Sequence, residues 1–166
     1  LTAETRIEMI NLLAQAAGWT GMAGGQSLDI AAEGRSLSLS ELKALHAAKT
    51  GALIRASVQM GCLSARSIAP GDQIFTQLTA YGDLIGLAFQ VIDDVLDVTQ
   101  TTEQLGKPAG SDEALEKNTF PKLMGLNAAV GYATDLVDEA QTTVAFLGED
   151  GRLLRQLADL VVNRSH

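Results

Sequence analysis

Apolar residues recur along most of the chain at intervals of three and four positions, the spacing that gathers them on one face of an α-helix. This spacing predicts helices over residues 2–17, 38–63, 72–98, 127–147 and 151–163. Two local signals agree with it. Ser38 and Glu41 form a capping box before the second helix, and Pro121 suits the first turn of a further helix. No segment shows sustained alternation of apolar and polar residues, so the sequence predicts an all-α protein.

The segments between these helices carry residues that interrupt regular structure. Residues 21–30 are dense in glycine and are helical or looped, and residues 64–71 form a polar turn. Residues 99–119 are rich in threonine, glycine, serine and charge, which predicts a mobile loop. The chain has no internal repeat, and its length suits one domain over residues 1–166.

Composition and charge narrow the classes of function. The chain is 46% apolar but only 4% aromatic, so its core must be built from small aliphatic side chains. No apolar run approaches the ~20 residues that span a bilayer. A net charge of −8 argues against nucleic acid as a partner, although divalent cations could still bridge the protein to a small diphosphate. The single cysteine, Cys62, lies in an apolar stretch and favours a reducing, cytoplasmic setting.

The predicted helix over residues 72–98 carries a narrow acidic stripe on an otherwise apolar surface. Polar side chains fall within about a third of its circumference at about 100° per residue: Asp83, Gln90, Asp93, Asp94 and Asp97. Residues 73–106 contain no lysine or arginine that could neutralise them. Carboxylates four residues apart repel each other, and Mg²⁺ prefers such oxygen ligands. The stripe therefore indicates either a metal site or an acidic face in solvent.

The residues around this stripe resemble the second aspartate-rich motif of the trans-isoprenyl diphosphate synthases of the farnesyl and geranyl type. Residues 86–97 (GLAFQVIDDVLD) carry that likeness. Further segments resemble other motifs of the family in the same order: GGQSLD at 24–29, KTGAL at 49–53 and a lysine loop over 106–121. The resemblance covers nearly the whole chain.

This resemblance implies an all-α helix bundle of the isoprenoid synthase type and a set of site residues. It implies Mg²⁺ as cofactor, with Mn²⁺ as an alternative, held by Asp93, Asp94 and Asp97. It implies that the diphosphate is bound by Lys49, Thr50, Gln90, Lys107 and Lys117. Supporting roles fall to Gln26, Asp29 and Asp112. Gln26 is expected to face the substrate cavity and Asp29 to bond to Lys49 or to a neighbouring helix. No catalytic nucleophile is implied.

The activity that the resemblance implies is prenyl transfer. Isopentenyl diphosphate would condense with dimethylallyl or geranyl diphosphate to give a longer prenyl diphosphate such as farnesyl diphosphate, in a cytoplasmic homodimer. The family's first aspartate-rich motif and its segment for isopentenyl diphosphate precede everything in these 166 residues. The bundle therefore lacks its N-terminal helices here, and we expect this chain alone to be inactive.

Other readings of the same residues remain open. One is a class I terpene cyclase or a squalene-synthase relative, and another is a non-catalytic regulatory subunit of the same fold. Lys49 could be an ordinary surface lysine, and the glycines of residues 24–29 could serve packing alone. We expect His46 to be structural or exposed, and Trp19 and Phe89 to be core anchors.

Overall fold

The computed structural model describes residues 1–65, 68–99 and 117–164. The α-helices in these ranges are α1 (Ala3–Ala17), α2 (Met22–Ala31), α3 (Leu39–His46), α4 (Ala52–Ser64), α5 (Gln73–Thr99), α6 (Phe120–Met124), α7 (Leu126–Thr143) and α8 (Arg152–Asn163). A π turn, Ala47–Gly51, joins α3 to α4, and a 3₁₀ turn, Ala145–Gly151, precedes α8. These described ranges contain no β-strand, which confirms the all-α prediction.

The predicted helix ends correspond to capping contacts. The Thr2 hydroxyl accepts a hydrogen bond from the Thr5 backbone N–H and starts α1, which ends at Gly18. Both bonds of the predicted capping box are present, because Ser38 and Glu41 each accept from the other's backbone N–H. The long helix predicted over residues 72–98 is α5.

Two predicted helices differ from the structure. The helix predicted over residues 38–63 is interrupted by the π turn, which apolar spacing alone does not reveal. The helix predicted over residues 127–147 ends at Thr143, and the chain continues as a 3₁₀ turn in which Gly148 takes a φ of 55°. A positive φ breaks a right-handed helix and suits glycine. Most of the loop predicted over residues 99–119 lies outside the described residues.

Helix α5 is the centre of the fold and packs most extensively against α4 and α7. Tyr81, Ala88 and Val91 on α5 are fully buried, and α7 presents the small side chains Ala129 and Ala133 to them. Small residues let the helix axes approach closely, as the aliphatic composition predicted. This packing fixes one face of α5 in the core and orients the remaining face towards α2 and α3.

The Tyr81 hydroxyl ties the core of α5 to α8. Tyr81 is fully buried, and its hydroxyl donates a 2.8 Å hydrogen bond to the Leu154 carbonyl oxygen. Tyr81→Phe leaves that carbonyl without this donor, so we expect the free energy of unfolding to fall by about 1–2 kcal/mol. Urea denaturation measures the change, and Tyr132→Phe on the part-buried Tyr132 is the control. An equal loss in both variants would contradict the assignment.

Burial also raises the pKa of Tyr81 to about 12. The folded protein therefore holds the phenolic proton more tightly than the unfolded chain, in which tyrosine titrates near about 10. The stability that this group contributes should be lost as the pH rises from about 10 to about 12. We expect Tyr81→Phe to lose less stability than the wild type over that alkaline range.

Helices α1 and α2 present apolar side chains outward. Trp19 was expected in the core, and this is wrong, because 77% of its surface is exposed in the turn after α1. Several large neighbours on these helices are exposed too: Ile7, Ile10, Leu13, Leu28 and Ile30. A patch of this kind usually marks a surface that another element covers. None of the helices described is long and apolar enough to cross a lipid bilayer.

Candidate active site

Gln90, Asp93 and Asp94 of the acidic stripe face a cleft of about 340 Å³ between α2, α3, α5 and the segment before α6. Its lining brings together residues that are far apart in the sequence: Asp29, His46, Lys49, Thr50, Phe89, Gln90, Asp93, Asp94, Lys117, Asn118 and Thr119. Seven of these are site residues that the sequence predicted. The cleft therefore combines carboxylates, two lysines and neutral polar groups on one concave surface.

The π turn supplies Lys49 and Thr50 to this cleft. The Lys49 Nζ lies 2.6 Å from Asp29 Oδ2 on α2, a part-buried ion pair. The Thr50 hydroxyl donates a hydrogen bond to Gln90 Oε1 on α5. Asp29 therefore bonds to Lys49, one of the two arrangements expected for it. The surface-lysine reading does not fit, because only 29% of the Lys49 side chain is exposed.

The three aspartates of the motif occupy three different environments. Asp93 opens onto the cleft, with 41% of its side chain exposed. Asp94 is buried and accepts a 2.9 Å hydrogen bond from the Phe120 backbone N–H, at the start of α6. Asp97 is only 2% exposed and lines a neighbouring cavity of about 420 Å³ with Lys117 and Lys122. Asp93 is thus the best placed of the three to meet a ligand.

The contact with Phe120 gives Asp94 a measurable structural role. Asp94→Ala removes a buried acceptor from the first turn of α6, so we expect a loss of about 1–3 kcal/mol in the free energy of unfolding. Asp94→Asn keeps an oxygen at the same position and should lose less. Asp93→Ala is the matched control. Asp93 immediately precedes Asp94, but its side chain is half-exposed, so this variant should change stability little. A denaturation series that ranks Asp93→Ala as the worst would contradict this.

Arg164 contacts two residues that line the cleft, and the sequence did not predict this role. Its guanidinium stacks 3.8 Å from the Phe89 ring centre, and its Nη2 donates to the Phe89 carbonyl oxygen at 2.8 Å. The same nitrogen lies 3.7 Å from Asp93 Oδ1. Burial lowers the pKa of Arg164, while Asp93 opposes that shift. Arginine near a chain end gives no sequence signal for a contact 75 positions away.

His46 also lines the cleft, and of the two places expected for it, structural or exposed, it takes the structural one. It is 9% exposed, stacks on Phe120 at 5.6 Å, and its Nε2 is 4.0 Å from Asp94 Oδ2. Neither ring nitrogen has a hydrogen-bond partner among the described residues. Desolvation lowers the pKa of His46 to about 4, against the opposing field of Asp29. A neutral imidazole therefore faces the carboxylates.

The donor set suits a magnesium ion that shares its ligands with a bound phosphate. Among the described residues, no group of three histidine, cysteine or acidic side chains could enclose a metal. Mg²⁺ is commonly held by only one or two carboxylates, with substrate phosphates and water completing its octahedron. Asp93 on an open cleft, with Lys49 across from it, provides that arrangement. The residues fit an ion that binds together with its substrate.

Other predicted residues lie away from this centre or outside the described residues. Gln26 is exposed on α2 and does not line the cleft, so its expected place facing the substrate cavity stays a prediction. Lys117 lines both the cleft and the neighbouring cavity. Lys107 and Asp112 lie outside the described residues, and their roles stay predictions.

Comparison with known proteins decides the family. The sequence model of the polyprenyl synthetase family matches residues 1–145. The chain belongs to the polyprenyl synthetase family. The resemblance inferred from the motifs is therefore confirmed.

Several relatives of this polyprenyl synthetase chain are named farnesyl diphosphate synthase. Farnesyl diphosphate synthase of Escherichia coli (strain K12) is 47% identical over 96% of this chain and 54% of that protein. A geranyltransferase of Helicobacter pylori, solved with magnesium and isoprenyl diphosphate, has a TM-score of 0.81 and 38% identity over 98% of this chain and 52% of its own.

A polyprenyl synthase of Caulobacter crescentus CB15, solved with calcium and isoprenyl diphosphate, has a TM-score of 0.85 at 28% identity, over 98% of this chain and 61% of its own. These likenesses confirm that the polyprenyl synthetase chain has the all-α isoprenoid synthase fold. The chain spans about half the length of the relatives that it matches.

Proposed function

We propose that this chain forms the second aspartate-rich part of a prenyltransferase that condenses isopentenyl diphosphate with dimethylallyl or geranyl diphosphate. The observation that carries the proposal is the cleft in which Lys49, Thr50, Gln90 and Asp93 meet. Cationic and metal-binding groups on one concave surface are what a diphosphate needs. The names of the relatives, farnesyl diphosphate synthase among them, support the same substrate class.

Each cleft residue then has a role towards the allylic diphosphate. Asp93 would hold Mg²⁺, or Mn²⁺ as an alternative, with Asp94 and Asp97 supporting it directly or through water. The metal, when bound, neutralises the charge that develops on the leaving diphosphate. Lys49 binds the diphosphate oxygens as a compact cation, with Lys107 and Lys117 proposed to join it. Thr50 and Gln90 orient the cluster through their mutual hydrogen bond.

The proposed reaction is an electrophilic alkylation. The carbon–oxygen bond of the allylic diphosphate breaks, and the diphosphate keeps both electrons. The double bond of isopentenyl diphosphate attacks the resulting allylic cation and forms the new carbon–carbon bond. A proton is then lost, with the released diphosphate as its acceptor. The site must exclude water while the cation exists.

The context of the reaction is also proposed. Residues 1–166 form part of a single isoprenoid synthase domain, which works as a cytoplasmic homodimer. The buried, unpaired Cys62 supports a reducing compartment. The exposed apolar side chains of α1 and α2 support the proposal that another surface covers these helices, either a second copy of the chain or the rest of the domain. Sedimentation of the chain alone, compared with a Trp19→Asp variant, tests self-association.

A chimaera tests the activity. The part of the E. coli farnesyl diphosphate synthase that precedes its match to this chain is joined to Leu1, and radiolabelled isopentenyl diphosphate is supplied with geranyl diphosphate. We expect a longer prenyl diphosphate that requires magnesium and disappears with a chelator. The 166-residue chain alone should give no product.

The alternatives predict other products from the same assay. A cyclase would release a hydrocarbon from the allylic substrate without consuming isopentenyl diphosphate. A regulatory subunit would leave a folded chimaera inactive, although the chain would stimulate a separate synthase. A folded chimaera that binds magnesium pyrophosphate but forms no carbon–carbon bond would overturn the proposal.

A further inference from the structure

Two glycines, one on α2 and one on α5, pack directly against the backbone of the π turn at Ala47–Gly51. A Cβ on Gly25 of α2 would lie 2.3 Å from the Lys49 backbone nitrogen and 2.6 Å from its Cα. A Cβ on Gly86 of α5 would lie 2.9 Å from the Gly51 Cα. Real Cβ atoms do not approach backbone atoms this closely, so only glycine permits either contact. The backbone of the π turn is therefore in close contact with both α2 and α5.

Four residues after each glycine, on the same helix, lies a polar side chain that contacts the π turn. Asp29 follows Gly25 by four residues and pairs with Lys49. Gln90 follows Gly86 by four residues and accepts from the Thr50 hydroxyl. Residues four apart lie on the same face of a helix. Each glycine therefore sets the depth at which its partner side chain meets the π turn.

We propose that Asp29 is a positioning residue that acts on the diphosphate through Lys49. The inference rests on the proposed function, since it assigns Asp29 a task only if Lys49 binds a diphosphate. An ammonium on a four-carbon stem has many rotamers, and binding must restrict them. The 2.6 Å contact with Asp29, which is itself only 18% exposed, restricts Lys49 in advance. Preorganisation of this kind lowers the cost of binding.

The competing possibility is that Asp29 acts by its charge alone. A carboxylate next to an anion site repels the anion, so its removal would then tighten binding. Positioning predicts the opposite sign and also requires Lys49. These two requirements separate the alternatives in a double-mutant cycle.

The test measures magnesium-dependent binding of inorganic pyrophosphate to the chimaera by calorimetry. We expect Asp29→Ala to weaken binding about tenfold, and Asp29→Asn, which keeps an oxygen acceptor, to weaken it less. In a Lys49→Met background the Asp29 substitutions should have no further effect. Asp83→Ala, which breaks the exposed pair with Arg55, is the matched control and should leave the affinity within about twofold.

The other outcomes contradict either the positioning role of Asp29 or the proposed function. Tighter or unchanged binding by Asp29→Ala would overturn the positioning role, as would an equal effect of Asp29→Ala in both backgrounds. Either result would leave the proposed function standing, because the unsubstituted chimaera would still bind pyrophosphate. A folded, unsubstituted chimaera that does not bind magnesium pyrophosphate would contradict the proposed function itself. Thermal unfolding of every variant checks that a loss of pyrophosphate binding does not result from a loss of folded structure.

Discussion

Asp93→Asn in the chimaera is expected to lower kcat/KM for the allylic diphosphate by a factor of about 10²–10³, the range found when one group that stabilises transition-state charge is removed. Asp93 is the motif carboxylate that opens onto the cleft, so it is the best placed to hold a metal against the substrate. Asparagine keeps the shape but removes the negative charge that Mg²⁺ requires. A factor of 10² corresponds to about 2.7 kcal/mol.

The matched control is Asp83→Asn on the same helix. Asp83 pairs with Arg55 at 3.2 Å, and 51% of its side chain is exposed. It lies on the acidic stripe but does not line the cleft, so kcat/KM should stay within about twofold. A magnesium titration adds a second readout, since Asp93→Asn should need more metal for half-maximal rate. Equal losses in the two variants would mean that charge on α5, rather than the cleft, controls activity.

Gly25→Ala is expected to destabilise the fold by about 3 kcal/mol or more, at the upper end of the range for overpacked sites. The added methyl group would meet the Lys49 backbone at 2.3 Å, and a backbone cannot rotate aside as a side chain can. For a chain of this length, the melting temperature should fall by roughly 6–12 °C. Calorimetry of the 166-residue chain measures it.

Gly131→Ala supplies a control with the opposite expected sign. Gly131 lies on the exposed face of α7, and a Cβ there would meet no atom within 4 Å. Alanine is favoured over glycine in a helix by about 1 kcal/mol, so this variant should be more stable than the wild type. If both substitutions stabilised the chain, the close approach of α2 to the π turn would be refuted.

Local patterns predicted much of the fold. The helix ends at Gly18 and the capping box at Ser38 depend on contacts within four residues, so the sequence contains all of their causes. The wide apolar surface of α5 predicted its burial. By contrast, the exposure of Trp19 depends on which surfaces the other helices cover, and no local pattern carries that information.

The candidate site shows the same difference between features set by local sequence and features set by distant contacts. Asp93, Lys49 and Gln90 were found because they belong to short motifs. Arg164 was missed because its contacts with Phe89 and Asp93 join residues more than 70 positions apart. The separate environments of Asp94 and Asp97 were also hidden, since a helical wheel places both on one stripe but does not show which neighbours cover them.

The π turn lets the chain between α3 and α4 carry one residue more than a continuous α-helix would. A π turn is equivalent to one residue inserted into an α-helix. Because the wider turn absorbs the extra residue, the side chains before and after it keep their faces, and Leu42 and Leu45 remain buried. Deleting one residue within Ala47–Gly51 would therefore leave a continuous α-helix with α3 still facing the interior. The change would fall on Lys49 and Thr50, which the wider turn supplies to the cleft.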